Sequence, residues 1–389
     1  MRKPVVILSC HTTGLGVIRA LGSMGVPVIV VQYSKGDMGQ VSKFVKEKFV
    51  APHPEKSPDR FLEILVVCGK KYPGSILIPA DDDTLQIVSR NKKDLSRYFT
   101  VACTDWTIAE LFLDKKKTFA LAEKSGVPVA RTYIPTSIDD LIDRGRGIGF
   151  PCLVKPCFSH RYFEIFRKKM VIVNDMDQMI AAYREASEAG VEVMVQEFIP
   201  GDDQQGVNYN SYFVNGAPLV EFTAFKVRLS PPCIGIPSVV ISRQIPEVLG
   251  LGRKILKAMN YEGYSCTEFK RDARDGVFKL MEVNGRHNRS TSLAVQCGIN
   301  FPWIQYRHLV GEEMPTPRNA RSGVYWIDEF KDVPKIFGGA KERSTSYSKF
   351  FLPYIHPHVF SVYSWSDPLP FLKRGWDGVK IAARHLSSI

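Results

Sequence analysis

Two hydrophobic periods alternate over the N-terminal part of the chain. Val5-Val6-Ile7-Leu8 and residues 26–31 are short, β-branched apolar runs of the kind that buried parallel strands show. Between them, Gly14-Leu15-Gly16-Val17-Ile18-Arg19-Ala20-Leu21 reads as a helix opened by a polar, glycine-containing turn. Ser75-Ile76-Leu77-Ile78-Pro79 is a further buried run and ends at the acidic triplet Asp81-Asp82-Asp83. This alternation predicts a doubly wound open sheet. Ligands of such sheets sit beyond the carboxyl ends of the strands, where Thr12-Thr13-Gly14 and the acidic triplet fall.

The pattern then changes. A helix is expected from about residue 114 to 124, stopped by Gly126 with Pro128 just beyond it. Pro151-Cys152-Leu153-Val154-Lys155-Pro156 and Met194-Val195-Gln196-Glu197-Phe198-Ile199-Pro200-Gly201 read as strands. Antiparallel strands are expected at residues 209–214, 219–225, 238–242, 266–271 and 277–283, with one helix at 246–259. Beyond Gly311 the tail is rich in aromatics and proline and holds no repeat. It ends in an amphipathic pattern over 370–386, with Leu372, Trp376, Val379, Ala383 and Leu386 on one face. Such a stripe is expected to pack on the protein's own core in preference to a membrane.

Composition narrows the class. A chain of 389 residues with 44% hydrophobic and 24% charged residues is ordinary globular protein of two or three domains. No run reaches the roughly 18 apolar residues of a membrane-spanning helix, so no integral membrane segment is expected. Eight cysteines without a CxxC pair read as reduced, mostly packed thiols of a cytoplasmic protein. The net charge of +12 suggests anionic partners, but no aromatic RNA-binding strand or basic recognition helix accompanies it, and nucleic acid is not expected.

The candidate chemistry lies between Glu268 and Arg286. Thr267-Glu268-Phe269-Lys270-Arg271-Asp272 alternates as a strand, Asp275-Gly276 signals a hairpin turn, and Phe278-Lys279-Leu280-Met281-Glu282-Val283-Asn284-Gly285-Arg286 returns. Residues two apart in a strand share a face, so Glu282, Asn284 and Arg286 project together and the hairpin can bring Glu268 beside them. Two carboxylates and an amide oxygen form a hard donor set suited to Mg²⁺ when phosphates complete its shell. Taken alone, the same residues could equally be a polar hairpin face with a surface ion pair. Lys115 at a helix start, Lys155 at a strand end, and Lys226 with Arg228 on another strand are point charges of the type phosphate recruits.

In that order and spacing the chain resembles the ATP-grasp superfamily, over about residues 1–312. Asp114-Lys115 ahead of Gly126-Val127-Pro128, and Phe150-Pro151-Cys152-Leu153-Val154-Lys155-Pro156, resemble the family's two phosphate-lysine motifs. Val195-Gln196-Glu197-Phe198-Ile199-Pro200-Gly201 resembles its adenine hinge, which implies base contacts from Gln196, Glu197 and Ile199 and a ribose contact from Asp203. Glu268, Glu282 and Asn284 match its metal ligands, and Arg286 its arginine for the reacting group. Leu77-Ile78-Pro79-Ala80-Asp81-Asp82-Asp83, Lys226-Val227-Arg228-Leu229-Ser230-Pro231-Pro232 and Ser366-Asp367-Pro368-Leu369-Pro370-Phe371 are similar to segments of the carboxylate–amine ligase, D-aspartate ligase-like, branch.

The resemblance implies an α/β fold: a Rossmann-like domain at 1–110, a linker helix and small lid lobe at 111–195, a large α+β lobe with the metal site at 196–312, and a C-terminal appendage at 313–389. It implies ATP and Mg²⁺, two ions, with carboxylate and amine substrates, catalytic roles for Lys226, Arg228 and Arg286, and room for a homodimer. The loop Cys157-Phe158-Ser159-His160-Arg161-Tyr162 lacks the glycines that many members fold over the phosphates, so a cation, Arg161, Lys168 or Lys169, is expected there instead. A kinase acting on a hydroxyl, or a non-catalytic nucleotide-binding module, are the rival readings. His287 and Asn288 could bind a carboxylate or be structural. Thr12-Thr13-Gly14-Leu15-Gly16 lacks the third glycine of a dinucleotide site, and a substrate carboxylate at that helix start is the better functional reading. Asp81 to Asp83 are expected to cap the following helix, with an ammonium site as the alternative.

Overall fold

The computed structural model describes residues 2–34, 36–157, 162, 165–168, 170–314, 319–337 and 346–386, the side chains of 381, 382 and 384–386 excepted. The N-terminal sheet contains β1 (Val5–Leu8), β2 (Val28–Gln32), β3 (Val45–Val50), β4 (Ile76–Pro79) and β5 (Thr100–Val101), in the order β3-β2-β1-β4-β5. All its pairs are parallel, and β1 and β4 are buried throughout, which is why they read as unbroken apolar runs. The helix Thr12–Gly22 begins directly after β1. A Cβ at Gly14 would sit 2.1 Å from the Ser9 carbonyl oxygen, so only glycine permits that tight return.

A small sheet follows: β6 (Thr132–Tyr133), β7 (Cys152–Pro156), β8 (Val171–Val173) and β9 (Val193–Glu197), ordered β6-β9-β7-β8. The large sheet is built from β10 (Gly206–Val214), β11 (Ala217–Ser230), β12 (Ile236–Ser242), β13 (Gly263–Arg271), β14 (Phe278–Asn284), β15 (Tyr325–Ile327) and β16 (His358–Phe360). Its order is β14-β13-β10-β11-β12-β15-β16. The helices Asp82–Arg90 and Trp106–Leu113, which follow β4 and β5, share one apolar cluster with the large sheet, in which Leu85 and Phe112 meet Val207, Phe269, Leu280 and Val283.

The tail is built into this architecture. It supplies β15, antiparallel to β12, and β16, parallel to β15. Within it, Asp332 accepts from the Nε (3.0 Å) and Nη2 of Arg228 and from Ser238 Oγ (2.9 Å), all buried. Farther along, the buried carboxylate of Asp367 accepts from Arg19 Nε (2.9 Å), Ser42 Oγ (2.7 Å) and the Lys43 backbone N–H (2.9 Å). The last helix, Leu369–Leu386, leaves Leu372, Trp376 and Val379 exposed. The expected core contact of that stripe is not made, because the helix packs through its other side.

Candidate active site

The hairpin β13–β14 sets Glu268 directly opposite Glu282, and Cys266 opposite Asn284. Gly276, at φ 75°, supplies the left-handed residue that its turn requires. Asn284 Nδ2 lies 3.5 Å from Glu268 Oε1, and Asn284 Oδ1 accepts from Arg286 Nη2 at 3.1 Å. The three expected metal donors are therefore together, with Arg286 against them. A cation shared by Glu268 and Asn284 needs the amide oxygen where Nδ2 now stands, a half-turn of that side chain. The two carboxylates are matched by ammonium groups: Lys226 Nζ donates to Glu268 Oε2, and Lys115 Nζ stands 4.0 Å from Glu282 Oε1. Among the described residues no trio of His, Cys, Asp or Glu could hold a metal. The set is instead two carboxylates and a carboxamide, an all-oxygen chemistry that fits Mg²⁺.

Lys155 ends the small sheet's central strand β7, buried, with its Nζ 4.9 Å from the centroid of the Phe119 ring. Burial, reinforced by repulsion from Lys115 and opposed by Glu282, lowers its ammonium to about 7. Burial works on Lys226 in the same direction, but the Glu268 charge outweighs it and holds that ammonium above the ordinary lysine value. Two lysines on one site are thus tuned oppositely by whether a carboxylate touches them.

The hinge between small and large sheets places Gln196 and Glu197 at the end of β9, both buried. Gln196 Nε2 donates to Thr132 Oγ1 at 2.7 Å, while its buried Oε1 has no partner among the described residues. Burial acts to raise the Glu197 carboxyl, but hydrogen bonds from Arg131 (3.3 Å) and Arg274 (2.6 Å) hold it below the usual range. The carbonyl of Ile199 accepts from Lys270 Nζ at 2.7 Å. Lys270 was not singled out from the sequence, although it shares the strand face of Glu268 two residues away.

Other expected residues are not brought to this cluster. Arg228 turns to Asp332 and the Phe350 carbonyl (3.1 Å), and the ladder slips register between Lys226 and Arg228, so the two side chains meet different partners. The Asp203 carboxylate accepts the backbone N–H groups of Leu229 and Cys233, each at 2.7 Å, and holds the end of β11. Asn288 donates to Asn210 Oδ1 at 2.7 Å inside the fold. His287 Nε2 is 2.9 Å from Gln305 Oε1, and burial pushes its ring down to about 4, which keeps it neutral. Lys169 and Arg161 lie outside the described residues.

At the carboxyl edge of the N-terminal sheet, Asp81 caps the helix Asp82–Arg90 by accepting from the Thr84 N–H at 2.9 Å, the capping expected of the triplet. Its neighbours do more. Asp82 receives Arg286, and Asp83 stands 3.7 Å from His53 Nε2. His11, at the start of Thr12–Gly22, accepts from the Thr13 N–H and lies 3.6 Å from Asp81.

No family model matches the chain. It is 27% identical over 250 residues to the D-aspartate ligase of Enterococcus faecium (strain Aus0004), a match that spans 60% of this chain and 57% of that protein. It is 23% identical over 314 residues to D-alanine–D-alanine ligase B of Pseudomonas putida, spanning 77% of this chain and 85% of that one. Among solved structures, the biotin carboxylase of Campylobacter jejuni in complex with β,γ-ATP superposes with a TM-score of 0.67 at 15% identity, covering 84% of this chain and 74% of that one.

Proposed function

We propose, on the premise that this chain carries the ATP-grasp fold, that it is an ATP- and Mg²⁺-dependent carboxylate–amine ligase that forms ADP. The observation that carries the reading is the opposed Glu268–Glu282 pair surrounded by Lys115, Lys226 and Arg286. An unactivated carboxylate expels an oxide-like leaving group; phosphorylation replaces it with a good one, at the cost of holding several anions together. Moving a phosphoryl group between oxyanions calls for positioning and charge compensation more than acid–base help.

In this reading Glu268, Glu282 and Asn284 hold Mg²⁺, two ions, which supply charge compensation on the phosphates. Lys155 and Lys115 bind phosphate oxygens, and burial of Lys155 makes it a cation poorly matched until an anion arrives. The unpartnered Gln196 Oε1 is an acceptor for an amino group of the base, beside the Glu197–Ile199 backbone. Lys226 moves from Glu268 toward substrate anion, and Arg286 steadies the reacting carboxylate. Each such contact contributes on the order of 2–4 kcal/mol to the transition state. We place the reaction in the cytoplasm, where ATP is held and eight free thiols stay reduced.

The test is ADP release from purified protein with ATP, Mg²⁺ and pairwise mixtures of acids and amines. Release that needs both an acid and an amine, and that Glu282→Gln abolishes, is the expected result. Release with a hydroxyl acceptor and no amine would establish the kinase reading instead.

A further inference from the structure

We propose that the C-terminal helix Leu369–Leu386 docks this protein on the surface of an anionic lipid bilayer. Four large apolar side chains of this region are open to solvent: Leu369 is 53% exposed, Leu372 60%, Trp376 61% and Val379 62%. At about 100° per residue their spacing gathers all four into an arc of roughly 80°. The first turns of the helix are held to the body of the protein. On the other side Phe371 packs against Phe330 and Tyr363, ring centroids 5.2 Å away in each case, and joins the cluster of Leu15, Met38 and Val362. Asp367, two residues before the helix, is held by Arg19 and Ser42. The fold thus fixes the first turns of the helix and presents their apolar face outward.

Charge selects the occupant. Between residues 369 and 386 the sequence carries Lys373, Arg374, Lys380 and Arg384 against a single acid, Asp377, on a chain whose net charge is +12. Lys373 and Lys380 border one edge of the stripe, and Lys380 Nζ lies 5.4 Å from the Trp376 ring centroid. Trp365, 89% exposed, stands beside the start of the helix, its ring 5.2 Å from that of Tyr363. An apolar stripe with tryptophan, edged by lysine, matches the acyl boundary and anionic headgroups of a membrane surface. A second copy of the helix would cover the stripe but set a net charge of +3, four basic residues less Asp377, against +3. No described helix is long and apolar enough to cross a membrane, so the helix lies on the surface. This inference is independent of the ligase reading.

The experiment is co-sedimentation of the full chain with vesicles. With about 30 mol% phosphatidylglycerol in phosphatidylcholine, most of the protein should pellet at low salt, and raising the salt to about 1 M should weaken this. Vesicles of phosphatidylcholine alone should bind roughly tenfold less. Leu372→Glu/Trp376→Glu should cut pelleting with the anionic vesicles about tenfold while leaving the melting temperature unchanged, because both side chains are exposed. Wild-type protein that stays in the supernatant overturns the proposal, as does equal pelleting of the double variant. A dimer in sedimentation velocity that Trp376→Glu splits, without vesicle binding, would assign the stripe to a contact between copies and overturn it equally.

Discussion

Arg286, just beyond β14, donates its Nε and Nη2 to the two carboxylate oxygens of Asp82 at 2.6 and 2.8 Å, across 204 residues of sequence. The bidentate pair joins the end of β14, the strand of Glu282 and Asn284, to the first turn of a helix in the N-terminal domain. It makes Asp82 a positioning residue for the arginine assigned to the reacting group. Asp82→Asn should therefore lower ADP release on the order of 10–100-fold with a melting temperature within a few degrees of wild type, since the Asp82 side chain is 50% exposed. Arg286→Lys should do no better, because an ammonium cannot make the paired contact. Steady-state ADP assays alongside thermal melts check both.

On the proposed reading, Lys155 couples stability to nucleotide binding with opposite signs. Its ammonium titrates at about 7 in the fold against 10.5 in the unfolded chain, so between those values the unfolded chain holds the extra proton and stability rises with pH. Below pH 7 the full cost of burying the charge is present. Lys155→Met should accordingly melt higher than wild type at pH 7 without nucleotide, by an amount that shrinks toward pH 10. The same variant should lose the ATP-induced shift that wild type shows. Calorimetry at pH 8 should also record proton uptake as wild type binds MgATP, and none in the variant.

The Arg228–Asp332 pair gives a purely structural prediction. Both side chains are almost fully buried, at 5% and 0% exposure, so Asp332→Ala strands a guanidinium in the interior at a cost of about 3–5 kcal/mol. Arg228→Met/Asp332→Leu should recover most of this in urea denaturation. A ligase role for Arg228 itself would instead appear as lost activity in the stable double variant.

The hairpin of Glu268, Glu282 and Asn284 was legible because alternation, a turn dipeptide and a strand return all lie within 19 consecutive residues. Arg228 lies two residues from Lys226, but the ladder slips between them and its guanidinium turns to Asp332, a direction that no local pattern shows. Its partner Asp332 is 104 residues away in a tail whose short strands carry no period. Asp82 shows the same limit: its capping position could be read locally, but Arg286 reaches it only through the docking of two sheets. Amphipathicity located the face of Leu372, Trp376 and Val379 correctly, yet periodicity says nothing about whether a partner covers that face.

The tail's two anchors have a mechanical consequence. Asp367 is bolted to Arg19 and Ser42 of the first domain, Asp332 to Arg228 of the large sheet, and one continuous segment carries both. That segment straps the two bigger bodies into a single stator. On the proposed ligase reading, closure over a nucleotide falls to the four-stranded sheet, which neither anchor touches and which meets the β13–β14 hairpin through Glu197 and Arg274.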